Sequence, residues 1–274
     1  MPGVVRLTNN ERELIADFLS DKLDEYVFVA QRLLSSPVDN SSILATLQNA
    51  EIQSLLLLSG NAVPINLSSE VAKQHAASPF VKYSQIASIV GKTSDVTNFW
   101  SALNKDSHRT VRLVRERQPY LRINHEIEGY EDVDVRYIAL EHYEQYFKAS
   151  YDMFIGEVGR APNNIDHYQE RLRYQIHNKR AFGVFDKNDV LRFKVDVPIW
   201  YQQSCQVQGV WMHPEWRGKG LARQYFGATL QAIQRDIAMS VTLYVNDFNL
   251  PALNLYRGIG FTEITQYSTI FLDI

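Results

Sequence analysis

The sequence predicts an α/β (α+β) protein of two domains, a smaller α/β domain over residues 1–125 and a second over 126–274. Three observations carry this reading. With 274 residues and 45% hydrophobic content the chain can bury one large core or two of ordinary size, and two is the natural expectation at this length. Residues 205–222, CQVQGVWMHPEWRGKGLA, read as a strand, a sharp turn and the start of a helix. The second half then alternates strand-like and helix-like stretches in the order β, α, α, β, β, β, α, β, α, β, β.

In the first half, apolar spacing over residues 11–34 predicts one or two amphipathic helices, with Thr8 or Asn9 placed to cap them. Residues 35–40 hold Pro37 and read as a break, and 43–48 as a short helix. Residues 52–58 form an uninterrupted apolar run, Ser59-Gly60-Asn61 a turn and 62–67 its return strand. A strand over 84–90 is expected to stop at Gly91, followed by an amphipathic helix over 96–103. Residues 110–123 read as an extended segment interrupted at Pro119. Arg112, Arg115, Arg117 and Arg122 lie along it. They fit an anion patch, or a solvated strand face or interdomain salt-bridge strip, and basic residues along one strand favour the latter.

In the second half, 133–140 reads as a strand, and 141–153 and 165–179 as helices joined by a loop that contains Gly156 and residues 159–164. Residues 181–200 read as a hairpin about the turn at 186–189. In the central stretch, 206–212 mixes β-favouring and apolar residues, Pro214 forbids a continued ladder, and Gly218 and Gly220 permit backbone angles closed to other residues. Ala222, Phe226, Leu230, Ile233 and Ile237 then form one helical face, so the helix starts at the glycines. A helix start bracketed by glycines exposes unpaired N–H groups at the positive end of the dipole, and Arg217, Lys219 and Arg223 add charge there. A phosphate or pyrophosphate fits. The next strand is expected over 241–247.

After that strand, Asn249, Pro251, Ala252, Leu255, Tyr256, Gly260 and Phe261 follow in the order N-x-P-A-x-x-L-Y-x-x-x-G-F. Together with P-E-x-R-G-K-G-x-A at 214–222, this resembles the GCN5-related N-acetyltransferase (GNAT) superfamily, over residues 204–261. The resemblance implies a mixed sheet split at a V-shaped cofactor cleft, with acetyl-CoA as cosubstrate. It implies that the backbone of Val210, Trp211 and Met212 pairs with the pantetheine arm. Arg217, Gly218, Lys219, Gly220, Leu221 and Ala222 would cradle the pyrophosphate, and Asn249 would contact the cofactor. Tyr256 matches the general acid, a role its chemistry allows: a phenol with a pKa of about 10 stays protonated at neutral pH and can donate to a thiolate whose acid has a pKa of about 8.5. The segments GKTSDVTNFW and VRLVRERQPYL resemble the poorly characterised N-terminal domain of some actinobacterial members, which would make the first half a degenerate relative of the second.

Two positions depart from the family pattern. Glu215 stands where Gln or Arg is frequent, and Tyr244 stands where members that acetylate protein N-termini carry a glutamate base. The base is therefore open among a water chain, Glu157, Asp196 and a tyrosine.

Other classes fit less well. The third position after Gly218 and Gly220 is Arg223, which spoils a dinucleotide fingerprint, and Gly220-Leu221 stands where a phosphate loop needs Lys then Ser or Thr. Seven histidines show no i, i+4 pair and the one cysteine, Cys205, excludes a thiolate cluster, so no metal is expected. A net charge of −3 does not suggest a nucleic-acid partner. No stretch is long enough to span a bilayer and no secretory leader is evident, so a cytoplasmic protein without a membrane partner is expected. The expected function is acetyl transfer from acetyl-CoA to a primary amine by direct attack in a ternary complex. Two alternatives stand beside it: an acyl-CoA-binding sensor without turnover, and acetylation of protein N-termini or lysines. The acceptor and the oligomeric state, a homodimer included, stay open.

Overall fold

The computed structural model describes residues 3–35, 42–105, 109–130 and 132–273. Its contacts divide the chain into two compact units. The first comprises Met1–Leu121, Tyr244–Leu250 and Glu263–Ile274, and the second Arg122–Leu243 and Pro251–Thr262. The units are thus discontinuous in sequence, unlike a division at one boundary near residue 125.

In the first unit, β1 (Val4–Leu7) leads through a 3₁₀ turn capped by Thr8 into α1 (Arg12–Ser20) and α2 (Leu23–Leu34). Three antiparallel strands come next, β2 (Ser42–Gln48), β3 (Glu51–Leu58) and β4 (Asn61–Ile65). The stretch expected as a helix over 43–48 is thus a strand. Paired with β1 on one side and β3 on the other, and buried from Ile43 to Ala45 and at Thr46, it follows its ladders rather than its helical propensity. Then come α3 (Ser69–Ala77), α4 (Pro79–Lys82), β5 (Ser88–Lys92), α5 (Thr93–Leu103) and β6 (Val111–Ile123). Gly91 does not stop β5 but lies inside it, where an added Cβ would stand 3.3 Å from the Pro64 carbonyl oxygen. Pro119 does not interrupt β6 either, and its carbonyl accepts from the Val245 N–H at 3.3 Å. The break expected at 35–40 lies outside the described residues except for Ser35.

The second unit runs β7 (Val135–Tyr137), α6 (Tyr143–Val158), α7 (Ile165–His177), β8 (Ala181–Phe185), β9 (Leu191–Tyr201), β10 (Ser204–Met212), α8 (Leu221–Asp236), β11 (Ser240–Tyr244) and α9 (Leu250–Ile259). Of the strand expected at 133–140 only Val135–Tyr137 forms, and Leu140 already opens a 3₁₀ turn, Leu140–His142. Helix α6 runs through Gly156 and ends at Gly159, which adopts the left-handed conformation that closes many helices. Strand order within this unit is β11-β10-β9-β8-β7. A core of Ile138, Tyr143, Tyr146, Leu172, Ile176 and Trp211 packs α6 and α7 against the sheet.

The last strand, β12 (Thr262–Leu272), completes the first unit. It pairs antiparallel with β5 from Tyr267↔Lys92 to Phe271↔Ser88, giving the order β1-β2-β3-β4-β5-β12-β6. Tyr267 joins Tyr26, Tyr120 and Tyr244 in a ring cluster with centroids 4.6–6.4 Å apart. The hydroxyls of Tyr120 and Tyr267 donate to the carbonyls of Asp24 and Glu25. Deeper still, His75 Nε2 lies 3.1 Å from Ser54 Oγ, which lies 2.7 Å from Thr46 Oγ1, and burial pulls His75 down to about 4. The arginines of β6 are exposed at 112 and 117, and Arg112 and Arg115 both stack over Phe271, each 5.3 Å from its centroid.

Candidate active site

The site is built where β10 leaves its neighbour. On one side β10 follows β9 over its whole length, but on the other its parallel ladder with β11 holds only at Ser204↔Ser240, Cys205↔Val241 and Gln206↔Thr242. Beyond Gln206 the two strands part, so among the described residues of this unit Val207–Met212 presents a backbone edge without a strand partner on that side. Trp211 turns into the core beside α6, while Val210 and Met212 stay half-buried.

The edge runs into a short 3₁₀ turn, Pro214–Trp216, and then the glycines. Gly218 has φ 73° and Gly220 φ 77°, and an added Cβ at either would meet nothing within 4 Å. These glycines serve backbone conformation, not packing. Gly220 is the N-cap of α8 and supplies no side-chain cap, so the first-turn amides of this 16-residue helix point outward unpaired. Arg217, Gly218, Lys219 and Gly220 are exposed, and Leu221 and Ala222 half-buried. The Arg217 Nε donates to the Met212 carbonyl at 3.0 Å, which ties the turn back to the strand edge. Lys219 Nζ lies over the Trp216 ring at 4.6 Å, with the Arg192 guanidinium 3.9 Å from the same ring.

Tyr256 comes from α9, the helix after β11. It packs on Phe226 of α8 with ring centroids 5.5 Å apart and on Phe261 at 5.9 Å. Burial, with a further contribution from the Glu157 carboxylate, pushes the phenol well above its ordinary value, so it stays protonated across the working pH range. Asn249 is exposed, donates its backbone N–H to Asn246 O at 2.9 Å, and lies in the segment assigned to the first unit. Tyr244 belongs to that unit too, in the ring cluster.

One part of this region is not evident from the sequence. Lys194 and Asp196 stand on β9 opposite the parting strand, with Lys194 0% exposed and its Nζ 2.6 Å from Asp196 Oδ2. The Tyr146 hydroxyl donates to Asp196 Oδ1 at 2.9 Å. Sequence reasoning offers Asp196 only as a candidate base; the signal for the pair is F-K-V-D-V, a lysine and an aspartate two apart on a strand otherwise built of apolar residues. Among the described residues no group of three His, Cys, Asp or Glu side chains could hold a metal ion, and no helix is long and apolar enough to cross a membrane.

Comparison with known families agrees with this geometry. The model of the acetyltransferase (GNAT) family matches residues 139–261. Residues 139–261 form a GNAT-family domain. Residues 41–146 match a domain of unknown function, DUF4081, which gives the protein the two-domain form. Solved structures share the whole fold at low identity. A tandem GNAT protein from the clavulanic acid biosynthesis pathway is 10% identical, with a TM-score of 0.58 over 98% of each chain. A GCN5-related N-acetyltransferase from Sphaerobacter thermophilus is 13% identical, with a TM-score of 0.58 over 97% of this chain and 94% of its own. A Drosophila protein is 10% identical, with a TM-score of 0.68 over 100% of this chain and 99% of its own. No curated protein matches by sequence. For residues 139–261 the family match fixes an acyltransferase fold.

Proposed function

We propose that the second unit transfers an acetyl group from acetyl-CoA to a primary amine, within a ternary complex and in the cytoplasm. The observation that carries this reading is the continuous path from the free edge of Val207–Met212 to the uncapped amides of α8, with a buried phenol packed on the same helix. Uncapped N–H groups at a helix start, beside Arg217, Lys219 and Arg223, suit a diphosphate. We assign the diphosphate to Arg217, Gly218, Lys219, Gly220, Leu221 and Ala222, with Asn249 as a further contact, and the pantetheine arm to the backbone of Val210, Trp211 and Met212.

Acetyl-CoA supplies an activated acyl carbon, which an amine nitrogen attacks as the carbon–sulfur bond breaks. The Met212 N–H is the donor to the carbonyl oxygen as charge develops on it. Tyr256 donates to the departing sulfur, and the proton shed by the amine nitrogen restores the phenol. With its proton held so firmly, the phenol acts first as a hydrogen-bond donor to the thiolate and transfers fully only as the amine gives up its own proton. The buried Cys205 takes no part.

Calorimetry with coenzyme A, followed by thiol release from acetyl-CoA across amine and peptide pools, tests the proposal. Binding plus amine-dependent release that Tyr256→Phe abolishes supports it. Binding without turnover on any amine would make the protein a sensor, and no heat from coenzyme A would refute the site.

A further inference from the structure

The first unit holds an open edge of its own. From Val111 to Arg117, β6 is exposed or half-buried, whereas from Gln118 to Ile123 it is largely buried. Successive side chains of a strand point to opposite faces, so the exposed run Val111–Val114 leaves both faces open there. On one flank β12 runs alongside to its end, where the Asp273 N–H donates to the Thr110 carbonyl at 3.0 Å. On the other, the chain after β11 pairs only as far as Arg117. The Val245 N–H donates to the Pro119 carbonyl at 3.3 Å and the Asp247 N–H to the Arg117 carbonyl at 3.1 Å. The Asn249 N–H then turns back to the Asn246 carbonyl at 2.9 Å, and α9 begins at Leu250. Alternation puts the N–H and C=O of Val111 and Leu113 on the same flank as the Arg117 carbonyl, and among the described residues no strand runs beside them there.

Proteins keep free edges from pairing by shortening them or by placing prolines, bulges or outward charges along them. The outermost strands of the two units, β1 and β7, are short, with 4 and 3 residues. The edge of β6 is blunted in neither way. Its proline, Pro119, lies beyond the open stretch, and Val111, Leu113 and Val114 are 38%, 44% and 43% exposed. The guanidiniums of Arg112 and Arg115 lie over Phe271 instead of standing clear of the strand. Arg112, Arg115 and Arg117 against the single Glu116 give the stretch a charge of 3 − 1 = +2, in a chain of net charge −3. Open backbone groups, apolar side chains and positive charge together suit a strand that alternates carboxylates with apolar residues. A nucleic acid would leave the backbone groups and the apolar side chains unused. A second copy meets an obstacle: antiparallel pairing of two such edges about Val114 sets Val111 of one copy at Arg117 of the other, and pairing about Leu113 sets Arg109 there, where Asp247 already stands.

We propose that Val111–Glu116 is a docking edge for an extended acidic segment of another protein, which adds a strand beside β6 and sets carboxylates against Arg112 and Arg117. Coenzyme binding has no part in it. The probe is a capped, labelled peptide of alternating glutamate and valine, with a lysine–valine peptide as control, titrated with the full chain by fluorescence anisotropy. The acidic peptide is expected to bind saturably and about tenfold tighter than the lysine peptide. It is also expected to slow hydrogen exchange at the Val111 and Leu113 amides. Leu113→Pro removes a donor that no ladder within the chain uses, so the urea midpoint is expected to hold while affinity for the acidic peptide falls about tenfold. An acidic peptide that binds Leu113→Pro as well as the wild type, or a lysine peptide that binds as well as the acidic one, overturns the proposal, as does the absence of saturable binding. Self-association that Leu113→Pro abolishes would give the edge to a second copy and overturn the acidic partner. Should Leu113→Pro fail to fold, Arg112→Glu/Arg117→Glu is read instead: the preference between the two peptides is expected to reverse, and an unchanged preference overturns the proposal.

Discussion

The two units carry the same crossover and finish it differently. In the first, β4 passes through a turn into α3 and returns in parallel as β5, with α5 behind it; in the second, β10 passes through a turn into α8 and returns in parallel as β11, with α9 behind it. Both parallel ladders are short, two pairs in the first unit and three in the second. The turns and the second helices set the units apart. In the first unit Asp95, from the first turn of α5, reaches back to the turn and accepts the amides of Asn66 at 3.1 Å and Leu67 at 3.0 Å. Burial raises this carboxyl against the opposing pull of those two bonds. Ser68 caps α3 through the Val71 N–H, and Gly91 packs against the Pro64 carbonyl. In the second unit the equivalent turn carries two left-handed glycines and no cap, and the second helix contributes Tyr256 in place of a carboxylate. The first turn is satisfied from within the chain, whereas the second receives no side-chain cap. One topology thus ends either in a turn that the chain closes with its own carboxylate or in one that it leaves uncapped, which is the turn we propose for the diphosphate.

That contrast can be broken at several points. The largest effect is expected from Tyr256→Phe, which keeps the packing on Phe226 and removes the proton donor: kcat falls about 10²–10⁴-fold in a thiol-release assay, with the KM for acetyl-CoA little changed. A comparable loss in KM alone would make the phenol a binding group. Asp95→Ala strands the buried Leu67 amide and the part-buried Asn66 amide and is expected to cost about 1–3 kcal/mol in urea unfolding, with activity per folded molecule intact and still one coenzyme per chain by calorimetry. Two coenzymes bound to the wild-type protein would show that the first turn is no joint.

A further test uses pH. Below pH 6.5 the unfolded chain protonates His75, whereas the folded first unit resists until about 4, so stability rises with pH across that window. Acidification from pH 7 to 4 is expected to remove about 3 kcal/mol, and His75→Gln to flatten the dependence. Last, Gly220→Ala would hold the left-handed turn only at a cost of about 1–2 kcal/mol, so the exposed turn is expected to relax, leaving the urea midpoint little changed and weakening coenzyme binding, which needs that turn, roughly tenfold.

The second crossover is legible in the sequence because its signals are local. Pro214, the two glycines and the apolar spacing of Ala222, Phe226 and Leu230 each act within one turn of backbone, and they place the helix start where the structure has it. The first crossover is not, because its anion comes from Asp95, 28 residues beyond Leu67, and nothing in N-L-S-S reports that bond. Helix α3 escapes sequence reading for a related reason. Only Ala72 and His75 are buried along it, too few for an apolar period, although Ser68 offers a capping signal. The strand at Ser42–Gln48 depends on ladders with neighbouring strands, and no single stretch of sequence encodes a register.

The place of β12 sets an order on synthesis. The first half of the chain leaves the ribosome long before residues 262–272 exist, so its sheet waits with β5 lacking one neighbour while the whole catalytic half is made. A chain truncated after residue 262 should therefore have the earlier half, not the later one, still open to protease, and the domain that looks ancillary would be the last to close.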